Sequence, residues 1–400
     1  MRKIMPSLTP RLASEIANIP YGLYQGAGRL AFKGHFEKFF SFNDNSSFEG
    51  KTGGISIIEN MPILRKVIPG AQRNSEAFAV LGIGKGKYQG DLVISIRGTQ
   101  NANDWVTNAN LGYKGAPNGS LAHAGFINSF HSIRPQIRSY LLKLKRLPNK
   151  VHCVGHSLGG ALASLCADWL KSEFSLRVNL YTFGSPRVGL EPYARKSGSG
   201  ADKIYRCTHG ADPVPMVPLW PFVHAPHQGQ EYRLDNDTGF KISAHKMAST
   251  ASPGYLNTAK SDSWGDLKLK ANHFLGKPVR LKFEHRNQAT FTEYWADKIS
   301  AALITLLKDT GLLVAVSLQA TISVGMTFYD YLAKHMERVS KASRMREIQV
   351  KGLLGHMLSF IGKPIQKIED LSAKFIRSVF SMVLTKLYRS AQMALEAIRT

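Results

Sequence analysis

The chain has 400 residues, 44% of them hydrophobic, and its 52 lysines and arginines against 28 acidic residues give a net charge of +24. That length and apolar share exclude a disordered or fibrous chain and allow one large domain with a sizeable core plus a smaller one. The basic excess attracts polyanions, either nucleic acid or an anionic lipid surface, with plain solubility as the bland alternative. Nucleic acid is left without a recognisable module, because the sequence has no paired-cysteine finger, RNP-type aromatic pattern or basic zipper. Cys153, Cys166 and Cys207 are odd in number, widely spaced and set among apolar residues. They read as buried free thiols, and neither a disulfide framework nor a metal site is expected. The start, MRKIMPSLTPRLASE, is basic without an apolar run, so no cleavable leader is expected and any export needs another route.

In chain order, DLVISIRGT (Asp91 to Thr99) is a nearly continuous apolar run, as expected of a strand covered on both faces. AGFINSFHSIRPQIRSYLLKLKRL reads as an amphipathic helix or a pair of helices interrupted near Pro135. VHCVGHSLGGALASLCADWL then joins two unlike patterns. Val151 to Val154 is short and β-prone, whereas Leu162, Leu165, Ala167 and Leu170 share one helical face. Ser157 sits at the join with Gly155, Gly159 and Gly160 around it. A sharp strand-to-helix turn that presents a serine hydroxyl needs small residues on both sides, since a Cβ there would strike the passing backbone. This is the nucleophile elbow of α/β-hydrolases; an ordinary Gly-rich turn is the competing reading. RVNLYTFGSPRVG is a further buried strand ending in a Gly/Pro turn, and KIYRCTHGADPVPMVP is a strand followed by a proline-rich loop. Strands alternating with helices predict a doubly wound, mostly parallel α/β sheet over residues 1–285. From Thr292 to Thr400 the pattern is helical, with breaks near Gly311, Ser340 to Arg344 and Gly362 to Pro364, so residues 286–400 form an all-α region.

A serine nucleophile needs a base to take its proton and an acid to hold that base in the right tautomer. In this kind of fold the acid follows the serine in the chain, and the histidine follows the acid. Asp212 suits the acid role, because it lies at the carboxyl end of KIYRC and is stiffened by Pro213 and Pro215. Asp168 and Asp202 are placed to face away, and a turn-forming Asp-Pro is the alternative role for Asp212. Spacing does not choose the base among His224, His227, His245, His273 and His285.

The segments SIRGTQNANDWVTN, AHAGF, VHCVGHSLGGALA, YTFGSPRVG, THGADPVPMVP, HQGQEYRL and ISAHKM resemble, in order, those of the class 3 lipases, an α/β-hydrolase family that includes filamentous-fungal triacylglycerol lipases. The resemblance covers roughly residues 70 to 250. It implies that Asp212 is the catalytic acid and His245 the base, with His227 structural and His273 the remaining alternative. It also implies an oxyanion hole in which Thr99 joins the backbone N–H of Leu158, the residue after the nucleophile. NDWVTNANLGYKGAPNGS then occupies the place of a lid whose Trp105, Val106, Ala109 and Leu111 would be costly in water and useful against lipid. Neither metal nor organic cofactor is implied. Bacterial members of the family include leaderless effectors delivered by type VI secretion, which is compatible with this chain, as is an intracellular enzyme.

Gly311 to Tyr329 carries no charge and has the length of a membrane span, but Ser317, Gln319, Thr321 and Ser323 make it a poor one. A buried or reversibly inserting helix is expected there. Beyond Gly362, a wide apolar face (Ile368, Leu371, Phe375, Val379, Met382, Val383) accompanies Lys374, Arg377, Lys386 and Arg389. Such a helix either lies on an anionic membrane or packs in a bundle. The expected activity is serine-dependent hydrolysis of glycerolipid acyl esters. The alternative is a membrane-binding or membrane-disrupting protein in which hydrolysis is secondary.

Overall fold

The computed structural model describes residues 6–23, 34–50, 76–97, 112–227, 229–235, 241–250, 253–271, 278–313, 315–316 and 328–396. Helix α1 (Pro10–Leu23) is followed by the strands β1 (Phe40–Gly50), β2 (Glu76–Gly84) and β3 (Leu92–Ile96). A short hairpin of β4 (Tyr113–Gly115) and β5 (Leu121–His123) leads into α2 (Ala124–Lys143). Then β6 (Val151–His156), α3 (Leu158–Phe174), β7 (Val178–Phe183), α4 (Glu191–Gly200), β8 (Lys203–Thr208) and β9 (Glu231–Arg233) alternate. The main sheet has the order β1-β2-β3-β6-β7-β8-β9. Strands β1 to β3 pair antiparallel, and β3, β6, β7, β8 and β9 pair parallel. This is the expected α/β-hydrolase architecture, with helices crossing between parallel neighbours.

The near-continuous apolar strands are explained by a sheet covered on both faces. Successive side chains of a strand point to opposite faces. Ile94, Cys153 and Leu180 accordingly enter one apolar layer, and Val93, Val154 and Tyr181 the other. The first layer is closed by Phe130 and Ile133 of α2 and by Leu162, Leu165 and Trp169 of α3. The second is closed by Leu12, Ile16 and Ile19 of α1, and Tyr205 there stacks on Trp264 at 4.1 Å. Each such aliphatic side chain, once fully buried, contributes about 1.5–3 kcal/mol. Cys153, Cys166 and Cys207 are free and buried, as expected.

One expectation is corrected. Helix α2 runs unbroken from Ala124 to Lys143 with Pro135 inside it. Pro135 is exposed while Ile133 and Ile137 are fully buried, so the missing hydrogen bond faces water and the packed apolar face carries the helix through.

After the short helices α5 (Tyr255–Thr258) and α6 (Trp264–Lys270) come α7 (Glu293–Asp309), α8 (Phe328–Ala342), α9 (Arg344–Phe360) and α10 (Ala373–Glu396). Thr292 caps α7 and Ser343 caps α9, each side chain accepting a backbone N–H of the first turn. Gly311 and Gly362 both adopt positive φ in the breaks between helices. These helices share one apolar core with the sheet: Leu303, Val339, Leu354, Val379 and Val383 join the cluster that holds Leu162, Val214, Met216 and Trp220. Helix α10 packs against the turns Val214–Met216 and Ile242–His245. Its apolar face, with Ile376, Val379, Phe380 and Val383, is therefore buried within the protein, while Lys374, Lys386 and Arg389 are exposed. No described helix is long and apolar enough to cross a membrane, and of the stretch Gly311 to Tyr329, positions 314 and 317–327 lie outside the described residues.

Candidate active site

Strand β6 ends at His156 and α3 starts at Leu158, leaving Ser157 alone at the bend with φ 58° and ψ −135°. A non-glycine residue is rarely found there, and the strain is held by close packing on both sides. A Cβ on Gly155 would fall 2.1 Å from the Gly159 carbonyl oxygen, and one on Gly159 would fall 2.1 Å from that of Ile96. The glycines around Ser157 thus let α3 rest directly on its own strand and on the end of β3.

Two loops complete the constellation. Asp212 follows β8 and His245 closes the single turn Ile242–His245. His245 Nε2 lies 2.9 Å from Ser157 Oγ, and His245 Nδ1 lies 2.8 Å from Asp212 Oδ2. Asp212 also accepts from the Tyr255 hydroxyl at 2.7 Å and, through Oδ1, from the Val214 N–H at 2.9 Å. An ionised carboxylate with three donors is held in one orientation. Since that carboxylate can only accept, His245 carries its proton on Nδ1 and offers Nε2 to the serine hydroxyl. Burial, followed by the neighbouring Asp212 charge, pushes the Tyr255 hydroxyl well above its usual range, so it remains a donor. Ser157, Asp212 and His245 are all fully buried. Gly184 lies against them with φ 57°, and a Cβ there would fall 2.7 Å from Asp212 Oδ2 and 3.0 Å from His245 Nδ1.

The remaining sequence candidates separate cleanly. Leu158 is buried at the first turn of α3, where backbone N–H groups have no partner within the helix. Thr99, the lid residues Trp105, Val106, Ala109 and Leu111, and His273 lie outside the described residues. His224 donates from Nε2 to the Pro215 carbonyl at 2.9 Å, His227 stands 3.6 Å from Glu191, and His285 is exposed. Asp168 accepts from Asn118 at 3.0 Å and Ser197 at 2.5 Å, pinning α3 to α4, and Asp202 pairs with Arg177 at 3.1 Å.

A buried charge cluster braces the loop beyond Asp212. Arg187 donates through Nη1 to the carbonyls of Met216 (2.8 Å) and Pro218 (3.1 Å) and through Nη2 to Asp297 of α7 (2.6 Å). Arg206 bridges Glu231 at 3.1 Å and Glu293 at 3.0 Å, and the Glu293 N–H reaches the Gly210 carbonyl at 3.3 Å. Burial alone would raise the Glu231 carboxyl, but Arg206 and Arg233 outweigh it and hold that carboxyl down at about 2. Glu293 is pushed well above the carboxylate range by burial and by the Glu231 charge beside it. The carboxylates of Glu231, Glu293 and Asp297 converge within 4.8 Å, close enough to share a cation. Arg187, Arg206 and Arg233 already pair with them, so guanidinium groups stand where a cation would sit.

Several site residues escape sequence reading. Tyr255, Gly184, His209 and Tyr21 touch the triad or its neighbours from positions far away in the chain. The Gly184-Ser185-Pro186 turn was visible as punctuation, but its closeness to Asp212 exists only in three dimensions.

Residues 93–222 match the family described as Lipase (class 3). A secreted mono- and diacylglycerol lipase 1 from Fusarium solani is 35% identical over 164 residues, which is 39% of this chain and 49% of that protein. The chloroplastic phospholipase A(1) DAD1 from Arabidopsis thaliana is 30% identical over 152 residues, covering 32% of this chain and 34% of that protein. The solved triacylglyceride lipase of Rhizomucor miehei is 24% identical and covers 56% of this chain and 78% of its own, with a TM-score of 0.38. The chain spans about half the length of the curated Fusarium relative.

Proposed function

We propose, from the match of residues 93–222 to the class 3 lipase family, that this protein is a serine carboxylic-ester hydrolase of glycerolipids. The observation that carries the proposal is the unbroken chain from Ser157 Oγ through His245 to Asp212. Ser157 Oγ attacks the ester carbonyl carbon while His245 Nε2 takes its proton. Asp212, held by Tyr255 and Val214, stabilises the imidazolium that forms. The negative charge on the tetrahedral intermediate is received by the Leu158 N–H and, by family resemblance, by Thr99; removing one such donor typically costs about 2.7–4 kcal/mol. Collapse expels the alcohol with the proton from His245, and water then releases the fatty acid by the reverse sequence.

The lipid class is supported by the relatives' names, a mono- and diacylglycerol lipase and a phospholipase A(1). The charge of +24 favours anionic phospholipid surfaces, which attract each nearby Lys or Arg by roughly 1 kcal/mol. With the apolar face of α10 packed inward, this attraction runs through exposed cations such as Lys374, Lys386 and Arg389.

The test is fatty-acid release from phosphatidylglycerol vesicles and from triacylglycerol emulsions by the wild type and by Ser157→Ala. Ser157→Ala is expected to lose several orders of magnitude in rate, because triad members act as a unit. Undiminished release by Ser157→Ala would remove the mechanism, and vesicle leakage retained by it without hydrolysis would favour the membrane-disrupting reading. Rising salt should slow hydrolysis of the anionic vesicles and leave a short neutral ester untouched.

A further inference from the structure

The catalytic base sits on little local structure. His245 ends a single turn whose own backbone bonds are Ala244 N–H to Lys241 (3.0 Å) and Lys246 N–H to Ser243 (3.1 Å). Its position is set from outside by two other imidazoles that take two consecutive carbonyls. His156 Nε2 lies 2.7 Å from the His245 carbonyl oxygen, and His209 Nδ1 lies 2.6 Å from that of Ala244.

The chemistry fixes both tautomers. A carbonyl oxygen only accepts, so His156 carries its proton on Nε2 and His209 on Nδ1. In each neutral ring the other nitrogen accepts: His156 Nδ1 from the Tyr21 hydroxyl at 2.6 Å, and His209 Nε2 from the Thr258 hydroxyl at 2.7 Å, whose one proton is shared with the Gly254 carbonyl at 2.9 Å. Tyr21 comes from α1, which is anchored on the sheet by the Ser95 hydroxyl donating to the Ile16 carbonyl at 2.7 Å. The His156 ring lies 4.7 Å from the His245 ring, and burial lowers both His156 and His209 from the usual histidine range. They remain uncharged beside a ring that becomes an imidazolium during turnover.

We infer that His156 and Tyr21, with His209 on the preceding carbonyl, are positioning residues that hold the main chain of the catalytic base. The inference rests on His245 acting as that base. His156 is also the last residue of β6, directly before Ser157. Its bond to the His245 carbonyl therefore ties the base to the strand that presents the nucleophile, and fixes the 2.9 Å gap between them. Tyr21 keeps the His156 ring turned so that Nε2, and not Nδ1, faces the carbonyl.

The experiment compares full-length wild type, His156→Leu, His156→Gln and Tyr21→Phe on p-nitrophenyl butyrate. In parallel, the downfield proton resonance of the His245 Nδ1–H···Asp212 bond is recorded by NMR. A misplacement near 1 Å costs about 100-fold in rate, so His156→Leu should lose about that in kcat with KM unchanged. His156→Gln, whose amide can donate to the same carbonyl, should recover most of the loss. Tyr21→Phe should show a smaller fall in kcat and a weakened resonance while keeping every apolar contact. Should His156→Leu not fold, Tyr21→Phe decides alone. Equal kcat in the Leu and Gln variants, a KM rise that matches the kcat loss, or an unchanged resonance in Tyr21→Phe would overturn the assignment. A wild type that hydrolyses no ester would instead overturn the proposed function, and the resonance would still report on the clamp.

Discussion

Gly184 shows how little space the triad leaves for error. Its φ is 57°, and a Cβ added there would stand only 2.7 Å from Asp212 Oδ2, so Gly184→Ala must move the carboxylate or the strand end. The backbone strain alone is on the order of 1–3 kcal/mol. The expected outcome is a lower melting temperature together with a kcat loss of about 100-fold and a smaller change in KM, read by thermal melts and initial rates. At this scale Ser157 and Asp212 were legible because local chemistry marks them, a serine among glycines and an aspartate stiffened by prolines after a strand. His245 was one of five equal candidates by spacing, and only the family resemblance singled it out. Tyr255, His209 and Tyr21 left no trace in the sequence. Their roles depend on contacts with partners such as His156, 135 residues from Tyr21, and no local pattern encodes such contacts.

Among the elements, α7 is the clasp on the loop that follows Asp212. Arg187 is almost fully buried and, among the described residues, has one carboxylate partner, Asp297, which keeps about a fifth of its side chain exposed. Removing one partner of a buried pair leaves an uncompensated charge worth about 3–5 kcal/mol, and the partial exposure of Asp297 puts this case near the lower end. Asp297→Ala should therefore lower stability by about 3 kcal/mol in urea titration and slow turnover, because the Met216 and Pro218 carbonyls lose a fixed donor. A variant as stable and active as the wild type would show that the clasp is dispensable. Element types were well marked by periodicity, including the helix breaks at Gly311 and Gly362. Pro135 misled because its local rule weighs only the lost hydrogen bond, whereas here that bond faces water and the buried Ile133 and Ile137 carry the helix through. The burial of the apolar face of α10 against the turns Val214–Met216 and Ile242–His245 was equally hidden, since an amphipathic pattern states that a face is covered and not what covers it.

For the molecule as a whole, acid is the vulnerable side. Burial lowers His123 to about 4 and also lowers His156, His209 and His224. Between the unfolded histidine value near 6.5 and these lower folded values, the unfolded chain binds more protons, so stability rises with pH and is lost as pH falls. For His123 alone the full loss is on the order of 3 kcal/mol by pH 4. The melting temperature should drop from pH 7 to pH 4.5, and His123→Leu, which removes an Nδ1 without a partner among the described residues, should flatten that slope. A melting temperature indifferent to this pH range would mean that the buried histidines are already balanced by groups that titrate in the opposite direction.

The clasp also has a consequence in time. Arg187 and its carboxylate lie 110 residues apart. A ribosome adds about 5–20 residues per second, so the arginine waits roughly 5–20 seconds for Asp297 to be made. By the end of that interval the nascent chain already carries Ser157, Asp212 and His245, yet the segment after Asp212 has no α7 to fasten it. The order of synthesis thus leaves the loop after Asp212 unfastened until α7 has been made, and the growing chain spends that time on its ribosome with Arg187 still waiting for its carboxylate.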